Sequence, residues 1–233
     1  MESLSAANIH LGLNLLKEMR KTNDGNIFFS PVGISTAIGM LLLGTRGATA
    51  SQLQKVFYSE KDTEISRKEV EEKEKSVPCR FKFLSTIMPI CFPPPLKNQI
   101  IDQVTPEQLI EWTRLEFMEV RTVNLRLPRL QVEGSYELEP VLGALGLGAA
   151  FSESDADFSG MCARSGLQAQ RFLHRSFVQV TEEGAEATVA TGIGYMVSSA
   201  GGCEQVHCDH PFLFFIRHRG SDSVLFFGRF SSP

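Results

Sequence analysis

The chain predicts an α+β fold, and three observations carry that expectation. Its first third repeats apolar residues at helical spacing, and its last third alternates in strands or runs as solid apolar blocks such as "HPFLFFIR". Helices come first, mixed elements follow and strands close the chain, without the strict βαβ alternation that builds a parallel sheet.

Residues 4–20 predict the first helix, amphipathic, with Ile9, Leu13 and Leu16 on one face. "TNDGN" turns the chain, and "IFF" makes a short buried strand. Ser30 is placed to cap a second helix, with Pro31 at its first position, where the missing N–H costs nothing. That helix is expected to bury Ile34, Ile38, Leu41 and Leu42 and to stop at Gly44. A third, over 49–57, presents Leu53, Val56 and Phe57.

Residues 59–76 carry seven acidic and five basic side chains in eighteen positions, so no apolar face survives there. The stretch reads as a solvated loop or a frayed helix, with an interaction tag as the alternative. Residues 77–98 hold five prolines and no sustained period, which excludes a helix interior and a central strand. They read as a seam.

Order then returns. Thr105, Pro106 and Gln108 form a capping box that opens a helix through Trp112. "TVNLRLP" alternates Val123, Leu125 and Leu127, predicting a half-buried strand that continues past Pro128 towards Val132. Ser135 is expected to start a further helix carrying Leu138, Leu142 and Leu145, weakened or bent by Pro140. Residues 167–180 predict a strand, and 211–217 with 224–230 a closing hairpin around "HRGSDS".

Several function classes are disfavoured. A formal charge of −4 argues against nucleic acid or an anionic membrane as the main partner. No apolar run approaches the ~20 residues of a membrane span, and the first twenty residues lack the layout of a secretory leader. Five cysteines (Cys79, Cys91, Cys162, Cys203 and Cys208) at irregular spacing suit a reducing compartment. There is no nucleophile elbow, zinc-protease helix or P-loop, and "GLGAAF" at 146–151 puts Phe where a dinucleotide fingerprint needs Gly or Ala. "CEQVHCDH" groups Cys203, His207, Cys208 and His210, but the spacing fits no ordinary zinc site and reads as polar residues on a turn before a strand. His174 reads as a hydrogen-bonded structural histidine with no nucleophile beside it. No metal, no cofactor and no enzyme activity are expected.

One segment fits neither core nor linker. "VTEEGAEATVATGIGYMVSSAGG", residues 180–202, lies between a patterned strand and the apolar block. A flexible Gly/Ala linker would explain its small residues, but not the strands on both sides or the acidic pair Glu182–Glu183. Its first part resembles the hinge of the reactive-centre loop of serpins. "HCDHPFLFFIRHRGSDSVLFFGRFSSP" is similar to that family's carboxy-terminal signature, "NIFFSPVGISTAIGMLLLGTRGATASQL" to its second and third helices, and "SYELEPVLGALGLGAAFSESDADFSGM" to its late helix and following turn. The missing leader and the charged 59–76 loop resemble the intracellular, ovalbumin-like clade. The resemblance covers about 1–76 and 99–233.

What it implies is a single serpin-like domain acting as a protease inhibitor. The loop is a bait that a protease cleaves, after which the freed arm inserts as a new strand in the central sheet. Gly184 gives the pivot its freedom, and Ala185, Ala187, Thr188 and Ala190 are slim enough to slip between strands, with Val189 bulkier than the alanine usual there. From Gly184 to Ser198 the extended chain reaches roughly 50 Å. The family's loop spacing places the scissile bond at Ser198–Ser199, preceded by Tyr195, Met196 and Val197. No Arg or Lys precedes it, and an aliphatic residue sits one place further back, which suits a papain-like cysteine protease of the cathepsin-L kind; a serine protease remains the other target class. Cytoplasmic residence is implied, with extracellular release open.

The chain departs from the family at 77–98. The middle helices, most of the central sheet and the tryptophan motif beside the insertion gap have no counterpart; Trp112 lies elsewhere. The central sheet is therefore expected to be incomplete, through an altered transcript or an erroneous gene model. The alternative to an inhibitor is a remnant that is only a protease substrate, or an oligomer that associates through unpaired strands.

Overall fold

The block at 211–217 is solidly apolar because the strand it forms is covered on both faces. A computed structural model describes residues 2–57, 85–91, 101–102, 104–113, 123–162, 166–180, 204–209, 211–218, 221 and 223–231. In chain order these form α1 (Glu2–Arg20), β1 (Ile27–Phe29), α2 (Pro31–Gly44), α3 (Gly47–Phe57), β2 (Ser85–Cys91), α4 (Pro106–Thr113), β3 (Val123–Arg126) and β4 (Leu130–Glu137). There follow α5 (Glu139–Leu142), a π turn (Gly143–Leu147), α6 (Gly148–Phe151), β5 (Leu173–Val180), β6 (Glu204–His207), β7 (Phe212–His218) and β8 (Ser223–Phe230). The α+β expectation holds.

The largest described sheet has the order β1-β8-β7-β2, with every neighbouring pair antiparallel. Register sorts its aromatics into two rows. Phe29, Phe227 and Phe215 lie side by side, with ring centroids 5.8 and 4.4 Å apart, facing the helices. Phe28, Gly228 and Phe214 make the opposite row, facing β4 and β5. There Gly228 leaves a gap over which the Phe28 and Phe214 rings stack at 5.7 Å; a Cβ at 228 would sit 2.2 Å from the Phe214 ring. The middle strands therefore separate two apolar layers, and polar alternation is lost.

On the helical side the apolar face of α1 is wider than its spacing suggested. Leu11 and Leu15 are as buried as Ile9, Leu13 and Leu16, because α2, α4 and β8 all pack around this helix. His10, Asn14, Lys17 and Glu18 keep a polar stripe along the opposite side, so the helix stays amphipathic. The caps form as the residue types require. Ser30 Oγ accepts from the Gly33 N–H at 3.0 Å and donates to the Leu225 carbonyl at 2.8 Å. At α4 the Thr105 N–H donates to Gln108 Oε1 at 3.1 Å, and the Gln108 N–H returns to Thr105 Oγ1 at 3.3 Å.

Four further expectations are corrected. The strand expected across Pro128 is two strands in different sheets, β3 pairing with β6 and β4 with β5, separated by 127–129. Ser135 does not start a helix: the period of two in Leu130, Val132 and Gly134 carries β4 on to Glu137. The helix opens at Glu139, so Pro140 falls in its first turn and breaks nothing; the bend comes instead at Gly146, whose φ of 99° is a left-handed conformation that glycine adopts without strain. Only 173–180 of the expected 167–180 strand is extended. The seam contains β2, which runs in full register along β7 and brings Pro89 opposite Phe214. Among the described strands β2 is an edge, where proline is tolerated. The 59–76 loop lies outside the described residues.

Candidate functional site

The expected hinge (Glu182, Glu183, Gly184, Ala185, Ala187, Thr188, Val189 and Ala190), the specificity positions Tyr195, Met196 and Val197, and the bond Ser198–Ser199 all lie outside the described residues. The structure describes the two strands that hold this segment by its ends. β5 delivers the chain to residue 180, and β6 receives it at 204.

β5 is antiparallel to β4 over its whole length, from Leu173↔Glu137 to Val180↔Leu130. One face of this ribbon is apolar or small (Leu130, Val132, Gly134, Val178) and joins Phe28 and Phe214 in the second core layer. The other face is exposed, including Leu173, Arg175 and Phe177 on β5. Among the described residues β4 is the one strand paired with β5.

The inner face is tied to the β1–α2 junction by three directional contacts. The Phe28 N–H donates to Tyr136 Oη at 3.0 Å, Ser176 Oγ donates to the Phe28 carbonyl at 2.6 Å, and the Ser30 N–H donates to His174 Nε2 at 3.0 Å. Both polar atoms of one β1 residue are thus paired with side chains of the ribbon, as buried backbone groups require. Gly134 makes the approach possible, since a Cβ there would lie 2.1 Å from the Phe28 oxygen. Burial pushes the His174 imidazole below its usual pKa, which keeps Nε2 a lone-pair acceptor and leaves the proton on Nδ1. Burial pushes the Tyr136 phenol up, against the opposing effect of its Phe28 contact. His174 is the structural histidine the sequence suggested. Tyr136 and Ser176 were missed, although a glycine inside a strand is a usable signal for a second backbone passing close by.

At the exit, β6 runs parallel to β3, and the Cys208 N–H donates to the Arg126 carbonyl at 2.9 Å. The "CEQVHCDH" stretch is thereby corrected from a turn to a strand over 204–207. His207 is exposed while Cys208 is buried in the second core layer, so these two side chains diverge; Cys203 and His210 lie outside the described residues.

These strands and helices recur in known proteins. A family model described as Serpin (serine protease inhibitor) matches residues 6–82 and 81–233. The chain belongs to the serpin family. Human Serpin B13 is 39% identical over 391 aligned residues, covering 100% of this chain and 100% of that serpin. Human Serpin B3 is 43% identical over 169 residues, covering 72% of this chain and 43% of that protein. These relatives belong to the ovalbumin-like clade B. The crystal structure of uncleaved ovalbumin shares the fold, with a TM-score of 0.80 at 19% identity, covering 99% of this chain and 100% of that one. The Serpin B13 alignment spans 391 positions and this serpin has 233 residues, so a large block of positions has no residue here.

Proposed function

We propose that this serpin inhibits an endopeptidase through a bait at 181–199, cleaved at Ser198–Ser199 and aimed at a papain-like cysteine protease of the cathepsin-L kind. The family supports a protease-inhibitor type of function. One observation supports the insertion step: β5, which leads directly into this segment, is joined to the body through a thin apolar layer and a few polar contacts on one face and, among the described residues, to a single partner strand. A strand held this way can accept a second neighbour along its other edge, which is what an arm hinged at Gly184 must find. The roles follow from the residue types. Glu182, Glu183 and Gly184 form the pivot, Ala185 to Ala190 the inserting arm, and Tyr195, Met196 and Val197 the side chains the protease reads. No catalytic group, metal or cofactor takes part, and the partner is the protease itself. We place this activity inside the cell, on the likeness to clade B serpins, in one domain whose middle is interrupted within 77–98.

The test is incubation with cathepsin L and, in parallel, with trypsin-like enzymes. A covalent complex that survives denaturing gels, with an amino terminus at Ser199 on the released fragment, is the expected result for the cysteine protease. Inhibition of the trypsin-like enzymes alone would overturn the target class.

The block of alignment positions without a residue here favours a second reading, in which the chain is a non-inhibitory remnant that a protease cuts near Ser198. In that case the same incubation yields cleaved serpin, free active protease and no gain in thermal resistance.

A further inference from the structure

Gly44 ends α2, and a Cβ there would lie 2.1 Å from Met161 Cγ, 2.4 Å from Cε and 2.7 Å from Sδ. The thioether therefore lies directly on the helix end, in space that any residue larger than glycine would fill. Gly160 completes the approach: its own Cβ would be 2.7 Å from the Gly44 carbonyl and 2.5 Å from Arg46 Nη1. The turn so docked is fixed to the α2–α3 corner by the Arg46 N–H donating to the Asp157 carbonyl at 3.0 Å. Thr49 Oγ1 donates to the Asp155 carbonyl at 3.1 Å and accepts from the Asp157 N–H at 3.0 Å. Despite this packing Met161 is 53% exposed, whereas Met19, on α1, is 3% exposed.

We propose that Met161 is a peroxide-sensitive site whose oxidation to the sulfoxide loosens the 152–162 turn from the corner between α2 and α3. In the reaction the sulfur lone pair attacks hydrogen peroxide. An S–O bond forms, the O–O bond breaks and the second oxygen leaves as water; sulfur gives up two electrons and the peroxide gains them. The product is bulkier and polar at an atom that now rests on backbone, and its oxygen accepts hydrogen bonds. The nearby donor is Arg46, whose Nη1 holds the carbonyls of Leu43 at 3.1 Å and Thr45 at 2.8 Å across the end of α2. A sulfoxide that competes for this guanidinium strips the helix end of those contacts at the same time as it spoils the fit on Gly44. The change is reversible, because methionine sulfoxide reductases restore the thioether. Met40 is 52% exposed and undergoes the same chemistry, so its own substitution separates its contribution from that of Met161.

The experiment treats the full chain with hydrogen peroxide and follows each methionine by peptide mass mapping alongside Tm. Met161 and Met40 are expected to oxidise at similar rates, and Met19 at least about tenfold more slowly. Tm should fall by about 2–4 °C, the shift that a loss near 1 kcal/mol gives in a chain of this size. The fall should vanish in Met161→Leu, persist in Met40→Leu and reverse with reductase. Met161→Gln, which carries the polarity of the sulfoxide, should lower Tm by a similar amount without peroxide. Slow oxidation of Met161 at the Met19 rate, a fall that survives Met161→Leu, or an unchanged Tm in Met161→Gln would each overturn the proposal.

Discussion

The sheet β1-β8-β7-β2 and the ribbon β4–β5 both rest on β1, but they hold it by different physics. The sheet grips β1 through registered backbone pairing and aromatic packing on both faces, with Phe28, Phe29, Phe214, Phe215 and Phe227 each fully buried. The ribbon meets β1 and the adjoining Ser30 through three side-chain hydrogen bonds and one thin apolar layer, and its outer face leaves Leu173 60% and Phe177 54% exposed. Apolar burial is non-directional and large in sum; a hydrogen bond contributes only about 0.5–1.5 kcal/mol net but fixes geometry. The carboxy-terminal hairpin is thus the part that makes the chain fold. On the proposed function, the ribbon is the part that takes a new partner while the rest stays folded.

The contrast is most easily broken in the core. Phe227→Ala removes the ring at the centre of the Phe29–Phe227–Phe215 row and should cost about 3–5 kcal/mol in a denaturant titration. A cost below about 2 kcal/mol would mean that the hairpin is not the stability centre. Gly134→Ala comes next. Its methyl would lie 2.1 Å from a backbone oxygen that no rotamer change can move, so β4 must lift away from β1. We expect about 1–3 kcal/mol, the usual cost of overpacking, together with faster amide exchange in β5 than in β7.

The polar contacts sharpen the comparison further. Tyr136→Phe deletes one oxygen and leaves the Phe28 N–H without its acceptor, for an expected loss of about 1–3 kcal/mol with β7–β8 protection unchanged. His174 adds a pH signature. Its folded-state pKa lies below the ordinary value near 6.5, so in acid the unfolded chain binds a proton more readily than the fold does. Its contribution is fully present above about 6.5 and is lost as pH falls through the lowered folded value. An exchange or thermal series from pH 7 to pH 5 should show the ribbon loosening first. His174→Gln should flatten that part of the profile; a profile unaltered by the substitution would remove His174 from the coupling.

Much of this contrast was legible in the sequence, and what escaped has a common cause. Patterns whose meaning is local were readable: the Ser30–Pro31 start, the Thr105–Gln108 box and the 212–230 hairpin depend on residues within a few positions of one another. What depends on distant segments was not. Ser135 has the composition of a helix cap, yet the pairing of β4 with β5 overrides it, because Gly134 and Tyr136 must both face β1. The burial of Leu11 and Leu15 likewise follows from elements far along the chain that surround α1. For the site, the strand that leads into the proposed bait was readable from its pattern, whereas β6 beyond it was read as a turn. The Tyr136–Phe28–Ser176 contacts were not, since nothing within any short window links residues more than a hundred positions apart.

The smallest effect belongs to the outer face of the ribbon. Phe177 is more than half exposed and sits opposite Glu133 in a row with Arg175 and Gln179, so replacing it with serine removes little that the fold has buried. Phe177→Ser should change unfolding stability by no more than about 0.5 kcal/mol, the range for substitutions away from any packed contact. If this face works only when a strand is added along β5, the same substitution should act on the cleaved product instead. The rise in thermal resistance after proteolysis near Ser198 would shrink while the uncleaved protein melts as before. Equal effects on both forms would place Phe177 in the resting core, and the division between a hairpin that stabilises and a ribbon that responds would have to be redrawn.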